Sequence, residues 1–406
     1  TDPYLLNNTY SPAAMFGGYP AFGINTFATN PDLRPERTNS SELGIDLRFA
    51  KGRFGADLAV YDMTTEDQII YLPVATSTGR TSRLANGGAI RNRGIELQLF
   101  GDIVKNDKLT WNSRINLGAN RAVVTELPDG VSGGYPIVAS MFPNDGGTVG
   151  LEYVAVEGEL LGQLKGLTFM RDEDDNIIHE NGLPMVSEEK STIGSYQPKA
   201  RIGWMNSFSV GNWQANILFD GQIGGLIYSR SHTLHNTAGN LVNDDDPHLD
   251  MNAIDGRVVY DVTYDGNGEP VYNLDQAGGV VGSGVMYDAS GNLVANTVSV
   301  PIRDYYYKYY GNVWSRDNIE PSTFDASYLK LRQLSIAYTV PADKLANTGL
   351  KGLTVSFVGR NLLLFTKVPT IDPETYSIRN GLFVNGYEST SMPSLRSFGF
   401  SINANL

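Results

Sequence analysis

The chain has 406 residues and a formal net charge of −13, from 31 basic and 44 acidic side chains. Because a nucleic-acid-binding protein needs a basic surface that displaces counterions, this balance argues against nucleic acid as a partner. Cysteine is absent, which excludes a disulfide framework, thiolate catalysis and cysteine-ligated metal. No apolar run reaches the roughly 18 residues of a membrane helix, so the chain is either soluble or crosses a membrane as strands.

The first clear element follows two prolines in the stretch NPDLRPERTNSSELGIDLRF, residues 30–49. Leu43, Ile45, Leu47 and Phe49 share one parity, and the residues between them are polar or glycine. A period of two predicts a strand with one apolar and one polar face. The apolar face must contact either the core of a soluble sheet or the hydrocarbon of a membrane.

The same alternation recurs to the end of the chain, at residues 54–61, 94–99, 111–120, 202–210, 213–219, 353–357 and 398–406. Between Tyr328 and Tyr338 its phase slips, which predicts a β-bulge. We therefore expect about nine or ten strands, most of roughly 9 to 11 residues, and no convincing amphipathic helix.

Short turns that contain glycine, AKGRF at 50–54 and VGNW at 210–213, alternate with long connections near residues 64–92, 121–199 and 221–325. This asymmetry is typical of a membrane barrel, which has tight periplasmic turns and long extracellular loops. Several strands also end in an aromatic residue of the apolar parity: Phe49, Trp111, Trp213 and Phe398. These features favour a membrane barrel, but a soluble sandwich of two sheets shows the same alternation and stays open as an alternative.

Six stretches resemble the C-terminal half of the SusC/RagA family of TonB-dependent outer-membrane transporters of Bacteroidetes. They are NPDLRPERTNSSELGIDLRF (30–49), VYDMTTEDQI (60–69), NGGAIRNRGIELQL (86–99), FMRDEDDNIIHENGLP (169–184), FDASYLKLRQLSIAYTVP (324–341) and VGRNLLLFTKVPTIDPE (358–374). The resemblance implies an all-β fold, a transmembrane antiparallel β-barrel of 22 strands with a plug domain. Residues 1–406 would be the C-terminal part of that barrel, with the plug outside this segment. The ending SINANL departs from the aromatic last residue that is usual for such barrels.

The resemblance also implies a function. Such a protein imports oligosaccharides or oligopeptides across the outer membrane of a Gram-negative bacterium, and it is not an enzyme. The implied partners are a SusD-like surface lipoprotein that closes the mouth, the TonB–ExbB–ExbD complex acting through the N-terminal part, and outer-membrane lipid. The expected assembly is a dimer of transporter–lipoprotein pairs. The alternatives are a soluble or surface-anchored all-β glycan-binding protein and a passive porin.

The stretch RDYYYKYYGNVW, residues 303–314, is the candidate substrate site. Aromatic rings stack on sugars or contact peptides, so we expect substrate contacts from Tyr305, Tyr307, Tyr309, Tyr310 and Trp314. The alternative is an aromatic girdle or packing within the loop, since tyrosines at alternate positions suit a strand.

No cofactor is expected, except for a possible Ca²⁺ in an extracellular loop. Asp244, Asp245 and Asp246, in the stretch NDDDPHLD, offer oxygen ligands for a hard cation, against the alternative of a plain acidic loop. His232 and His235 would face each other on a helical turn and bind a metal, but nothing completes a site, so an ordinary pair of loop histidines is favoured.

Overall fold

The computed structural model describes residues 6, 10–138, 150–238, 261–264, 266, 270–273, 279–311, 318–346, 348–379 and 382–405. The chain forms two compact units. The first comprises Thr1–Tyr135, Ala155–Leu161 and Lys199–Asn216, and the second comprises Pro136–Val154, Gly162–Pro198 and Ile217–Leu406.

The first unit contains five long antiparallel strands in the spatial order β5-β4-β3-β2-β1. They are β1 Arg37–Phe49, β2 Phe54–Glu66, β3 Ala89–Lys105, β4 Thr110–Glu126 and β5 Ala200–Val210. The short strands of this unit are Tyr10–Phe16, Tyr19–Ile24, Phe27–Ala28, Ile69–Pro73 and Ser82–Asn86, and a 3₁₀ turn spans Thr76–Thr78. Neighbouring long strands are joined by tight turns on one side and by long connections on the other.

The second unit contains long strands in the order β9-β8-β7-β6. They are β6 Trp213–Ile223, whose first residues belong to the first unit, β7 Tyr328–Thr339, β8 Gly352–Thr366 and β9 Ser397–Asn405. The helices are α1 Arg230–Thr237, α2 Ile302–Tyr309 and α3 Ala342–Leu345, and a 3₁₀ turn spans Glu320–Ser322. The all-β prediction is therefore confirmed.

Short strands fill the connections between the long ones. They are Tyr135–Val138, Glu152–Ala155, Gln163–Gly166, Ile178–Glu180, Leu183–Pro184, Ser191–Ser195, Leu226–Ser229, Asp261–Tyr264, Pro270–Asn273, Gly279–Val280, Val285–Tyr287, Leu293–Ala295, Val300–Pro301, Thr323–Asp325, Ser377–Arg379, Leu382–Val384 and Tyr387–Glu388. The three connections expected from the sequence run over residues 67–88, 127–199 and 224–327, close to the predicted boundaries, and a further long connection runs over residues 367–396. The extracellular position of these connections stays a prediction.

Backbone geometry explains the turns and the bulge. The turn between β1 and β2 holds Ala50, Lys51 and Gly52 at φ of 52°, 59° and 83°, which suits the twist of a tight hairpin. The pairing of β7 with β8 shifts between Leu331 and Gln333, and on the opposite strand Asn361 has φ of 52°. One residue of β7, Arg332, thus opposes Asn361 and Leu362 of β8, so the predicted β-bulge is confirmed and its extra residue belongs to β8.

The absence of amphipathic helices was a wrong prediction for the second unit. Helix α1 begins after Ser229, whose hydroxyl accepts a hydrogen bond from the His232 N–H and so caps the helix. In α2 the buried Tyr305 and Tyr309 lie one turn apart, and Asp304 and Lys308 are exposed. The consecutive tyrosines therefore follow the helical period, which the strand interpretation did not consider.

The buried hydrophobic core lies mostly in the connections. One cluster contains Leu151, Tyr153, Leu164, Tyr228, Ile319 and Tyr387. A second contains Phe169, Ile177, Val280, Tyr305, Tyr306, Tyr309 and Tyr310, and a third contains Ile227, Ala326 and Val368. The connections are thus folded and packed by their own side chains.

Candidate functional site

In the described part of the chain, the apolar faces of the long strands are exposed. Register places Ile45, Leu58, Leu97, Leu117 and Ile202 side by side across β1 to β5, in one apolar row. At least 38% of each of the following side chains on the long strands is exposed: Leu43, Ile45, Leu47, Phe49, Val60, Ile95, Leu99, Leu117, Trp204, Trp213, Leu329, Ile336, Val355, Leu363, Phe365, Phe398, Phe400 and Ile402. Burial of one such side chain contributes about 1.5 to 3 kcal/mol, so a surface of this extent needs an apolar medium.

The opposite faces of these strands are polar and hydrogen-bonded. In the first unit Gln98 Nε2 donates a hydrogen bond to Asn116 Oδ1 on the neighbouring strand at 2.9 Å. Tyr61 Oη donates to Asn120 Oδ1 at 3.0 Å, two strands away. The sheet therefore separates an apolar side from a polar side, as a barrel with a polar interior does.

Aromatic side chains lie beside the tight turns of the first unit. Phe49 and Phe54 flank the first turn and stack with ring centroids 5.9 Å apart. Trp111 stacks on Phe208 at 5.6 Å and donates from Nε1 to Asn206 Oδ1 at 3.0 Å. An aromatic body with a satisfied polar edge is suited to the boundary between water and lipid.

The predicted substrate tyrosines occupy two different environments. Tyr305, Tyr309 and Tyr310 are at most 3% exposed and belong to the second core cluster. Tyr307, on the other side of α2, is half-buried and is the member of the set that reaches the surface. The alternative of packing within the loop therefore describes three of these rings, and substrate contact stays a prediction for all four.

The remaining predicted site residues cannot be located. Trp314 and the three aspartates Asp244, Asp245 and Asp246 lie outside the described residues. Within the described ranges, no group of three or more His, Cys, Asp or Glu side chains is arranged to hold a metal ion. The proposed Ca²⁺ site thus stays a prediction.

The histidine pair does not form a joint site. Both histidines lie on α1, so the loop interpretation was wrong, but His232 is buried and His235 is exposed. His232 Nδ1 lies 3.0 Å from Ser322 Oγ, and the Asn236 amide lies 3.1 Å from Nε2. Burial, with a smaller contribution from the charge of His235, lowers the pKa of His232 to about 4. A neutral histidine in this position is part of the packing of α1.

A buried carboxylate holds α1 against a distant segment. Glu388 is fully buried and accepts hydrogen bonds from the hydroxyls of Ser229 and Ser231, each at 2.7 Å. The backbone N–H groups of Ser231 and Ser391 also donate to it, at 3.3 and 2.8 Å. Four donors compensate the desolvation of the carboxylate. The segment before β9 is thereby joined to the connection that precedes β7.

A second polar cluster joins the connection after β8 to the polar face of β7. Lys330 Nζ donates to both oxygens of Asp372, at 2.6 and 2.7 Å, and to Glu374. Arg332 donates to Glu374 at 2.6 and 2.7 Å and to Asp220. Burial would raise the pKa of Glu374, but the hydrogen bonds from Arg332 and Lys330 lower it to about 2. Neither this cluster nor the Glu388 site was predicted, because their members lie far apart in sequence.

The comparisons with known proteins decide whether the apolar faces of the strands contact membrane lipid or the core of a soluble protein. A family model described as TonB dependent receptor-like, beta-barrel, matches residues 5–362. The chain belongs to this family. It is an outer-membrane protein of the SusC/RagA type, so the uncovered apolar faces of its strands meet membrane lipid and the soluble alternative is wrong.

Relatives of known name support the assignment. TonB-dependent receptor P26 of Formosa agariphila is 24% identical over 398 residues, which cover 92% of this chain and 35% of the relative. TonB-dependent receptor SusC of Bacteroides thetaiotaomicron is 25% identical over 143 residues, 34% of this chain and 14% of SusC. The RagAB peptide transporter shares the fold, with a TM-score of 0.63, 17% identity and coverage of 98% of this chain and 38% of that chain. The chain thus spans about a third of the length of P26.

The helices contribute to the connections only. No helix within the described ranges combines the length and the apolar character needed to cross a membrane.

Proposed function

We propose that the chain forms part of the barrel wall and the folded connections of a TonB-dependent importer of oligosaccharides or oligopeptides. The observation that carries the proposal is the difference between the long strands and the connections. Long strands expose an apolar face to lipid, and the connections between them have their own buried cores. Membership of the receptor family and the fold shared with the RagAB peptide transporter support import of an oligomeric nutrient.

The chemistry of such an importer is binding and conformational change. The hydrogen-bonded wall is rigid, so it keeps the connections in place while they contact the substrate. Energy would come from TonB through a part of the protein outside this segment, and a SusD-like lipoprotein would close the mouth over bound substrate. Two such pairs would form the dimer.

Within the connections, Tyr307 is the ring that we propose for direct substrate contact. Tyr305, Tyr309 and Tyr310 would act indirectly, because their packing fixes the orientation of α2. Tyr307→Ala should weaken substrate binding about tenfold, which corresponds to the loss of one stacked ring. Tyr287→Ala, a change at an exposed tyrosine elsewhere in the same connection, is the matched control. If both variants bind the substrate equally well, Tyr307 does not contact it.

Energised uptake distinguishes the importer from a passive porin. Labelled oligosaccharides and oligopeptides would be offered to cells that carry the full-length protein, with and without TonB. The importer should lose uptake when TonB is removed, whereas a porin would keep it. Co-purification of a surface lipoprotein with the full-length protein tests the proposed lid separately.

Environment-sensitive dyes test the proposed wall directly. Single cysteines would be placed at Leu47 and Asp46, which are neighbours of opposite parity, in the full-length protein in vesicles. A dye at position 47 should be blue-shifted and quenched by brominated lipid, and a dye at position 46 should not be quenched. The wall assignment fails if neither dye is quenched.

A further inference from the structure

A groove lies at the end of β8, where the pairing with β9 stops. Strand β9 pairs with β8 only from Gly352 to Arg360, so the rest of β8 pairs with β7 alone among the described strands. The groove has a volume of about 540 Å³, and its apolar lining comprises Leu364, Phe365, Val368, Pro369, Ile371 and Pro393. This volume is sufficient for a segment of an acyl chain or of a peptide.

Hydrogen bonds hold both walls of the groove. On one side, Thr366 Oγ1 donates to the Ser327 carbonyl at 2.9 Å, and Lys330 holds the groove-lining Asp372 through two hydrogen bonds. On the other side, the Asn361 amide donates to the Leu395 carbonyl at 3.1 Å and keeps the segment before β9 alongside β8. The groove is therefore preformed by interactions within this chain.

The groove continues the lipid-facing surface. Leu363 and Phe365 pair with Leu331 and Leu329 on the apolar parity of β7, and Phe365 is 61% exposed. Two residues before the start of β9, Leu395 is 70% exposed. Because the apolar face of these strands meets lipid, the same medium reaches the rim of the groove.

Two basic residues are close in sequence to the residues that line the groove. Lys367 lies between the lining residues Thr366 and Val368, and Arg396 follows the lining residue Ser394 by two positions. Both are exposed, and neither forms an ion pair with another described residue. The acidic residue of the lining, Asp372, is neutralised by Lys330. Lysine and arginine at the end of a membrane-facing strand favour an anionic headgroup.

We propose that this groove binds a phosphorylated membrane lipid. One acyl chain lies against Leu364, Phe365 and Pro393, and the phosphate is bound by Lys367 and Arg396. The inference rests on the membrane position of the strands and not on import, so failure of the import proposal leaves it unaffected. A bound lipid would fill the unpaired edge of β8 and stabilise the junction between the wall and the connection after it.

Quenching by brominated lipids tests the proposal. A single cysteine at Thr370, an exposed lining residue, carries a fluorescent dye in the full-length protein in mixed micelles. Brominated phosphatidic acid is compared with brominated phosphatidylcholine of the same chains. Each basic side chain near the surface contributes about fivefold to the binding of an anionic lipid. We therefore expect brominated phosphatidic acid to reach half-maximal quenching at a concentration at least tenfold lower than brominated phosphatidylcholine.

Charge reversal provides the matched comparison. Lys367→Glu with Arg396→Glu should abolish the preference for phosphatidic acid, and the milder Lys367→Gln with Arg396→Gln should reduce it. Lys344→Glu with Lys351→Glu changes the same charge at exposed positions before the opposite end of β8 and should leave the preference intact. The proposal is overturned if both lipids quench equally or if the preference for phosphatidic acid survives the charge reversal at positions 367 and 396. It is also overturned if millimolar inorganic phosphate displaces the brominated phosphatidic acid completely, because the site would then be one for a free anion.

Discussion

The buried cluster around Lys330 permits a quantitative prediction. Lys330 is 2% exposed and Asp372 is 7% exposed, and two hydrogen bonds of 2.6 and 2.7 Å join them. In Lys330→Met the Asp372 carboxylate keeps its burial but loses its cation. Removal of one partner from a buried ion pair costs about 3 to 5 kcal/mol. The segment 367–376 should therefore open at least about 100-fold more often.

Hydrogen–deuterium exchange of peptides from residues 367–376 in the full-length protein measures this opening. The double variant Lys330→Met with Asp372→Leu should recover most of the protection, because replacement of a buried ion pair by apolar residues is often neutral. Lys105→Met is the control, since Lys105 pairs with Asp102 at 2.9 Å but its side chain is 65% exposed. An exposed pair contributes little, and exchange near Asp102 should change less than about fivefold.

Two results would refute this reasoning. If Lys330→Met changes the exchange of residues 367–376 no more than Lys105→Met changes its own region, the cluster does not hold the segment. If the double variant is as unprotected as the single one, the loss comes from packing of the lysine stem and not from the unpaired carboxylate.

Two further predictions concern α1 and the wall. Burial lowers the pKa of His232 from 6.5 to about 4. As the pH falls, the His232 ring is therefore protonated in the unfolded segment before it is protonated in the folded one. Helix α1 should keep its full stability above pH 6.5 and lose up to about 3 kcal/mol by pH 4. Hydrogen–deuterium exchange of residues 229–237, corrected for the intrinsic rate, should show this loss of stability. The loss should disappear in His232→Gln and remain in His235→Gln. In the wall, a Cβ at Gly94 would lie 2.3 Å from the Tyr61 ring, whereas Gly118 on the adjacent strand has nothing within 4 Å. Gly94→Ala should therefore reduce the yield of folded barrel on a heat-modifiability gel far more than Gly118→Ala, and equal yields would contradict the close packing.

Local sequence was sufficient to predict the long strands. Alternation at Leu43, Ile45 and Leu47 depends only on the period of an extended backbone, and the turn at Gly52 depends on a positive φ. The phase slip within β7 correctly predicted a bulge in the pairing of β7 with β8. The strands proved longer than expected, up to 17 residues in β3 and β4, because hydrogen-bonded pairing continues beyond the part that alternates.

The tyrosine-rich stretch shows where local prediction failed. Its tyrosines suit an extended segment as well as a helix, and only packing decides between them. In the folded chain Tyr305 Oη lies 3.1 Å from Nε2 of the buried His179, and Tyr309 packs on Phe169 with centroids 4.8 Å apart. Both partners are more than a hundred positions away. The helix therefore follows from tertiary contacts that the sequence pattern does not contain.

The sequence by itself determined the all-β class, the two-faced strands, the short and long connections and, through motif resemblance, the family. Each of these depends on the identity of neighbouring residues and on backbone periodicity. Only the tertiary structure decided which tyrosines are buried, that Ser231 meets Glu388 and that Lys330 meets Asp372. Such contacts arise because the chain returns to the same place after long connections, and a buried charge then requires a partner wherever the fold supplies one.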